Sequence, residues 1–423
     1  MIPHLVMSRI RFFSVVLMSC FSFSAGAQEK TDNWLKQLLL SKASPLLAHV
    51  LNNPDSFQYQ IIYTEINRDK KNRPSFTHHY FNVDPSRYYN PASTVKLPTA
   101  LIALEKMNEL KDKGVDIYTT MLTDSSFNGQ TAVTKDTSAE NNLPSVANYL
   151  KKIFLVSDND AYNRLYEFDG QETLNKRLWG KGYTNTRITR RFVTATEEQN
   201  RHTNGIRFVH GDQLIYRQSP ATSNARFDFS KQVLFGKGHF DNNDSLINTP
   251  MDFTTHNCFT LQDLQQMLQS VLFPESVPAN RRFHINPKDR QFLLQYMSEL
   301  PSESKHPKYD SAEFFDSYCK FFLYKSTKQK PPANIRIFNK PGWSYGFLTD
   351  AAYIVDFNTN TEFMLSAVIY VNRDGILNDN KYEYNEIGYP FFKEIGEIMY
   401  AYDKNRKRNH PANLKNFRFN YKN

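Results

Sequence analysis

Asn90-Pro91-Ala92-Ser93-Thr94-Val95-Lys96-Leu97-Pro98-Thr99-Ala100-Leu101 is the stretch on which the fold of this 423-residue chain turns. Asn90 is a good N-cap and Pro91 suits the first helical position. Leu97, Ala100, Leu101, Leu104 and Met107 then recur at helical spacing. Residues three apart on a helix share a face, so the Lys96 ammonium group comes within reach of the Ser93 hydroxyl. The positive end of the helix dipole favours an alkoxide-like serine. A lysine that is buried, or set beside another cation, can shed its proton and act as a base. Ser93 and Lys96 therefore make a workable nucleophile and base.

The spacing alone is weak, because Ser302/Lys305 and Ser317/Lys320 repeat it. Context separates them. Ser302 sits in a polar segment, and Ser317 falls inside an aromatic stretch read as helix. Only Ser93 opens a helix directly after a pair of strands. Ser157-Asp158-Asn159 follows an apolar helix marked by Val146, Tyr149, Leu150, Ile153 and Phe154. Ser157 can relay a proton there and Asn159 can hold a substrate amide. The same triplet also reads as a helix stop followed by a new N-cap, and Ser126-Phe127-Asn128 shows how cheap a Ser-x-Asn match is. Lys340-Pro341-Gly342 holds the only Lys-x-Gly in the chain. Glycine allows close approach to the backbone, and Lys340 is either a carboxylate-attracting group or an ordinary surface lysine at a strand end.

Outward from the Ser93 helix, residues 58–66 and 76–83 read as paired strands around a polar turn at residues 68–72. An amphipathic helix precedes them at about residues 34–51. Strand patterns return late, at residues 335–338, 346–357 and 362–371. A final helix carries Phe392, Ile395, Met399 and Tyr402 on one face. Residues 260–273 and 314–324 are further helix candidates. Strands at both ends and helices between them predict an α/β (α+β) fold: one antiparallel five-stranded sheet built from both termini, flanking helices, and a central helical lobe. Residues 28–423 form a single domain in this reading. Residues 28–92 and 335–423 make the sheet lobe, and residues 93–334 the helical lobe. Residues 205–255, polar and irregular, read as an insertion with one hairpin, packed near the helical lobe.

Composition narrows the class. The chain is 40% hydrophobic, enough for a large core, and its 15 Gly and 20 Pro are too scattered for a fibrous or low-complexity protein. Arg9 and Arg11, an apolar run and Ala25-Gly26-Ala27 form a secretory leader over residues 1–27. The run is too short for a transmembrane helix, so the mature chain has no span. The protein is expected to be exported, to a periplasm or beyond. Cys20, after Leu17-Met18-Ser19, offers a second reading as a lipoprotein acceptor, which Met18 fits poorly. Cys258 and Cys319 can pair or stay free. The net charge of +9 falls by two when the leader is removed, and nothing in the pattern points to nucleic acid. The basic run at residues 404–408 reads as a solvated tail. No His-x-x-x-His or comparable ligand set suggests a metal. His78 and His79 face opposite sides of a strand, one expected buried and one exposed.

Ser-x-x-Lys, Ser-Asp-Asn and Lys-x-Gly in that order resemble the signature of class A β-lactamases and penicillin-binding proteins. The resemblance covers roughly residues 58–402, apart from the insertion. It implies that Ser93 attacks a carbonyl and is acylated, and that Lys96 is base or proton relay. Ser157 would pass a proton to the leaving nitrogen, while Lys340 supports that relay and binds a substrate carboxylate. Asn159 would contact the substrate's side-chain amide. The backbone N–H groups of Ser93 and of Trp343, beside Gly342, would form the oxyanion hole. No cofactor is implied, and the substrate would be a β-lactam, a related amide or ester, or a peptidoglycan-like molecule. Two departures stand out. Pro341 replaces the usual hydroxyl residue, and Ser344 or Tyr345 are the candidates to substitute for it. Thr186-Arg187-Ile188 resembles the lead-in to the loop that carries the deacylating glutamate, yet the glutamate's place falls near Phe192 or Val193. Glu197 and Glu198 follow a few residues later and are the candidate bases if the loop is shifted. Otherwise the base is missing, and the acyl-enzyme hydrolyses slowly, as in a D-alanyl-D-alanine peptidase-like penicillin-binding protein. A non-catalytic envelope sensor of the same fold is the rival reading.

Overall fold

Gln60–Arg68 (β1) and Pro74–Phe81 (β2) form an antiparallel hairpin. Phe347–Asp356 (β5) and Thr361–Tyr370 (β6) form a second, paired from Phe347–Tyr370 to Asp356–Thr361. β6 lies against β1, with Gln60 opposite Val368, so the two chain ends share one sheet. Ile335–Asn339 (β3) and Gly342–Ser344 (β4) both pair with β5. They occupy one edge lane, split at Lys340-Pro341, where proline has no N–H to continue the ladder. The sheet therefore has the five lanes the sequence predicts, cut into six segments. These relations come from a computed structural model that describes residues 29–421. The leader and Cys20 lie outside the described residues.

Strand alternation divides the core in two. Ile61 and Tyr63 of β1, Ile354 of β5 and Leu365 of β6 face Asn33–Lys42 (α1), Pro45–Leu51 (α2) and Tyr389–Asn405 (α9). Ile62, Val355 and Met364 face the other way, as a period of two requires. They pack on Lys96–Leu110 (α3), Val146–Leu155 (α4), Asn159–Asp169 (α5), Gln171–Gly180 (α6), Leu261–Leu272 (α7) and Pro287–Ser298 (α8). With both faces covered, every residue of β5 and β6 is buried. Each large apolar side chain so buried contributes about 1.5–3 kcal/mol.

Several local expectations differ. The helix expected at residues 34–51 breaks in two, because Ser44 caps a new helix whose first residue is Pro45. Residues 314–324 form a series of turns rather than a helix. His78 and His79 are both half-buried: His78 meets Thr64 at 2.9 Å on one face, and His79 packs on Trp34 on the other. The basic run is not a solvated tail, since Arg406 (2.6 Å) and Arg408 clamp the buried Asp403, which also accepts from the Tyr63 hydroxyl. Cys258 and Cys319 are unpaired. Among the described residues no helix is long and apolar enough to cross a membrane.

Residues 205–255 divide between the lobes. The hairpin Ile206–His210/Gln213–Gln218 joins Thr120–Thr123 of the helical lobe. Gly238–Phe240, farther on, pairs in parallel with Ile376–Leu377 beyond β6, and Phe235 packs on Phe347 with ring centroids 5.0 Å apart.

Candidate active site

The turn that carries Ser93 is tighter than its sequence predicts. Asn90 does not cap an α-helix; its side-chain oxygen accepts from the Ala92 N–H at 2.8 Å. Ala92 sits at φ 45, a left-handed conformation that costs a non-glycine residue about 1–2 kcal/mol. Residues Ala92–Val95 form a 3₁₀ turn, and α3 begins at Lys96. Ser93 is half-buried, and its hydroxyl has no hydrogen-bond partner among the described residues.

Gly342 sets how this turn meets the sheet. A methyl group added there would lie 2.7 Å from the Ser93 nitrogen, 2.8 Å from the Pro91 oxygen and 2.8 Å from the Thr94 nitrogen. The glycine makes room for the nucleophile's own backbone.

Ser157 links the two lysines. It occupies the joint between α4 and α5 at φ 64, and Asp158 caps α5 by accepting from the Ala161 N–H at 2.7 Å. The helix-stop reading of this triplet holds. Lys96 Nζ donates to the Ser157 carbonyl at 2.5 Å and to Asn159 Oδ1 at 2.7 Å, and lies 3.4 Å from Ser157 Oγ. Lys340 Nζ donates to Ser157 Oγ at 2.9 Å and to the Pro341 carbonyl at 2.7 Å. Lys340 is 1% exposed, so it is no surface lysine. Burial pushes its amine down to about 8. Burial, with the neighbouring Lys340 charge second, holds the Lys96 amine well below its ordinary value.

Ser93, Asn159, Phe192, Trp343, Ser344 and Tyr345 line one cavity of about 490 Å³, within the usual range for small-molecule sites. A larger groove of about 980 Å³ beside α9 holds none of the predicted residues. The decoy pairs go elsewhere. Lys330 binds the Ser302 hydroxyl, and Lys320 holds the Met297 and Ile337 carbonyls under the sheet edge.

A model of the beta-lactamase enzyme family matches residues 50–402. The chain belongs to that family. A search of curated proteins finds no match. Among solved structures, a beta-lactamase from Xanthomonas campestris is similar at 14% identity, with 87% of this chain and 98% of that chain covered and a TM-score of 0.47. The TLA-3 extended-spectrum beta-lactamase gives 15% identity, coverage of 84% and 98%, and a TM-score of 0.47. A beta-lactamase from Sphaerobacter thermophilus gives 12%, 84% and 94%, and 0.43.

In this family member the loop after α6 departs from the expected pattern. Phe192 stands over Lys96, with Nζ 5.1 Å from the ring centroid. No Asp or Glu lines the cavity among the described residues. Glu197 and Glu198 are exposed, and Glu198 pairs with His202 at 3.0 Å. A capping box between Thr196 and Gln199 fixes that short turn, and Asn200, but neither glutamate, is among the residues that line the cavity. A shifted loop therefore does not bring a glutamate to Ser93. Sequence reading missed Arg190 and His256, which also line the cavity. They lie far apart in the chain, and no motif joins them.

Proposed function

We propose that the protein is an exported serine hydrolase that forms an acyl-enzyme at Ser93 with β-lactams or related amides and esters. The observation that carries this reading is the convergence of two buried lysines on Ser157, beside a cleft onto which an unpartnered Ser93 hydroxyl opens. A neutral Lys96 amine spends its two N–H bonds on the Ser157 carbonyl and Asn159. Its lone pair is then free to take the Ser93 proton as Oγ attacks the carbonyl carbon. The oxyanion is held by the backbone N–H groups of Ser93 and Trp343, each such donor being worth roughly 3–4 kcal/mol. When the C–N bond breaks, Ser157 gives its proton to the departing nitrogen and is reprotonated from Lys96, with Lys340 holding its hydroxyl in place. Asn159 contacts the acyl side chain.

Release is the slow half of the cycle in this proposal. Phe192 stands where the water-activating carboxylate is expected, and no Asp or Glu lines the cleft among the described residues. That favours a long-lived adduct of the penicillin-binding kind over rapid turnover. Incubation with a chromogenic cephalosporin, followed by intact-mass spectrometry, tests both halves. One adduct is expected on the wild type, none on Ser93→Ala, and decay over minutes or longer. An unlabelled wild type would leave the sensor reading; clearance in seconds would overturn slow release.

A further inference from the structure

Arg190 is a cation without a counter-charge. It is half-buried, lines the Ser93 cavity, and forms no ion pair among the described residues. Its guanidinium has one side-chain partner: Nη1 lies 2.7 Å from His256 Nε2. Arginine only donates, so the imidazole accepts and remains neutral. Burial, with the Arg190 charge second, pushes His256 down to about 3, and the exposed Asp252 opposes this only in part. The contact orients the guanidinium and leaves its charge uncompensated, with further N–H groups unspent.

The other cations of the cleft are committed. Arg191 pairs with the buried Glu167 at 2.6 Å and donates to the Gln199 carbonyl. Lys340, behind the cavity wall, is buried on Ser157. Arg190, by contrast, is held by backbone contacts and by the neutral His256, none of which supplies a negative charge. Asn257 Oδ1 accepts from the Thr189 and Arg190 N–H groups at 2.7 and 3.1 Å. Arg187 and Cys258 exchange backbone hydrogen bonds at 2.8 and 2.9 Å. The chain just beyond the insertion thus fixes the segment that carries Arg190. Tyr162 of α5 donates to the Arg190 carbonyl at 2.9 Å, so Arg190 belongs to the wall that begins with Asn159.

We infer that Arg190, oriented by His256, is an anion-binding subsite, and that the preferred substrate carries a carboxylate or similar anion on the acyl side of the bond Ser93 attacks. The acyl-side assignment rests on the Ser93 reading above; the anion subsite does not. Charge-assisted hydrogen bonds from a guanidinium to a carboxylate are among the stronger polar contacts, and discrimination of about tenfold or more is expected.

Benzylpenicillin and carbenicillin differ by one carboxylate on the acyl side chain and make a suitable pair. Calorimetric titration of Ser93→Ala measures binding without acylation. Carbenicillin is expected to bind about tenfold more tightly, and Ser93→Ala/Arg190→Gln to bind the two alike. Arg190→Lys in the same background should retain part of the preference. His256→Phe, at the other end of the contact, should reduce it, and it tests the subsite even if Arg190→Gln fails to fold. Equal binding by Ser93→Ala, binding of neither compound, or a preference that survives Arg190→Gln would overturn the inference. Labelling of the wild type by the same two compounds reads the acyl-enzyme separately: charge discrimination without labelling sinks the Ser93 reading alone, and labelling without discrimination sinks the subsite alone.

Discussion

Gly342→Ala is the sharpest perturbation available at this site. The added methyl carbon would stand 2.7–2.8 Å from three backbone atoms of the nucleophile turn: Ser93 N, Pro91 O and Thr94 N. Ordinary contact begins at 3.4 Å, so β4 and the turn must separate by about 0.7 Å, and no flexible side chain is present to absorb it. Overpacking of this kind costs about 1–3 kcal/mol of stability. The separation falls between the Ser93 and Trp343 N–H groups, which the mechanism needs at a fixed spacing. Misplacement approaching 1 Å at such a point costs on the order of 10²-fold in rate. The assay is the rate constant for appearance of the Ser93 adduct, read beside urea unfolding, with Gly180→Ala as control because nothing lies within 4 Å of a methyl group there. Slower acylation by about two orders of magnitude and a lower unfolding midpoint are expected for Gly342→Ala only. Acylation within twofold of wild type, with unchanged unfolding, would refute the close approach on which the reasoning depends.

Further outcomes follow from Lys340 and from Phe192. Lys340, pushed down to about 8, should set an alkaline limb, with acylation falling as pH rises through about 8; Lys340→Arg, which stays charged, should move that limb upward. A limb left in place by a Lys340→Arg protein that still acylates would reassign the titration. The same depressed amine favours the neutral form in the folded state, so its stability penalty is present below about pH 8 and is relieved as pH rises toward the ordinary lysine value. Phe192→Glu restores a carboxylate beside Lys96 and should shorten the adduct lifetime at least tenfold, as measured by mass spectrometry; normal acylation with an unchanged lifetime would show that the missing acid is not what slows release.

Much of the fold is legible because its signals are local. The strand-like runs of β1, β5 and β6 and the helical spacing in α3 and α4 are written in neighbouring residues, and the elements they predict are present in the structure. The nucleophile turn is less legible. Asn90-Pro91 satisfies the rules for a helix start, yet Gly342 lets a distant strand press against the turn, and Ala92 takes a left-handed conformation. The basic run at residues 404–408 misleads for the same reason: its partner Asp403 is local, but the contacts that turn the cluster into a buried clamp come from β1, through Tyr63 and the Ile66 carbonyl.

The sequence by itself determined the family resemblance, the order of its three motifs and the loss of a glutamate near Phe192, because each is a matter of which residues stand at which spacing. Only the tertiary structure decided that Lys96 and Lys340 meet at Ser157, that Glu197 and Glu198 face solvent, and that Arg190 waits in the cleft beside His256. Proton affinity and accessible charge depend on burial and on neighbours brought from far along the chain. No local pattern encodes them.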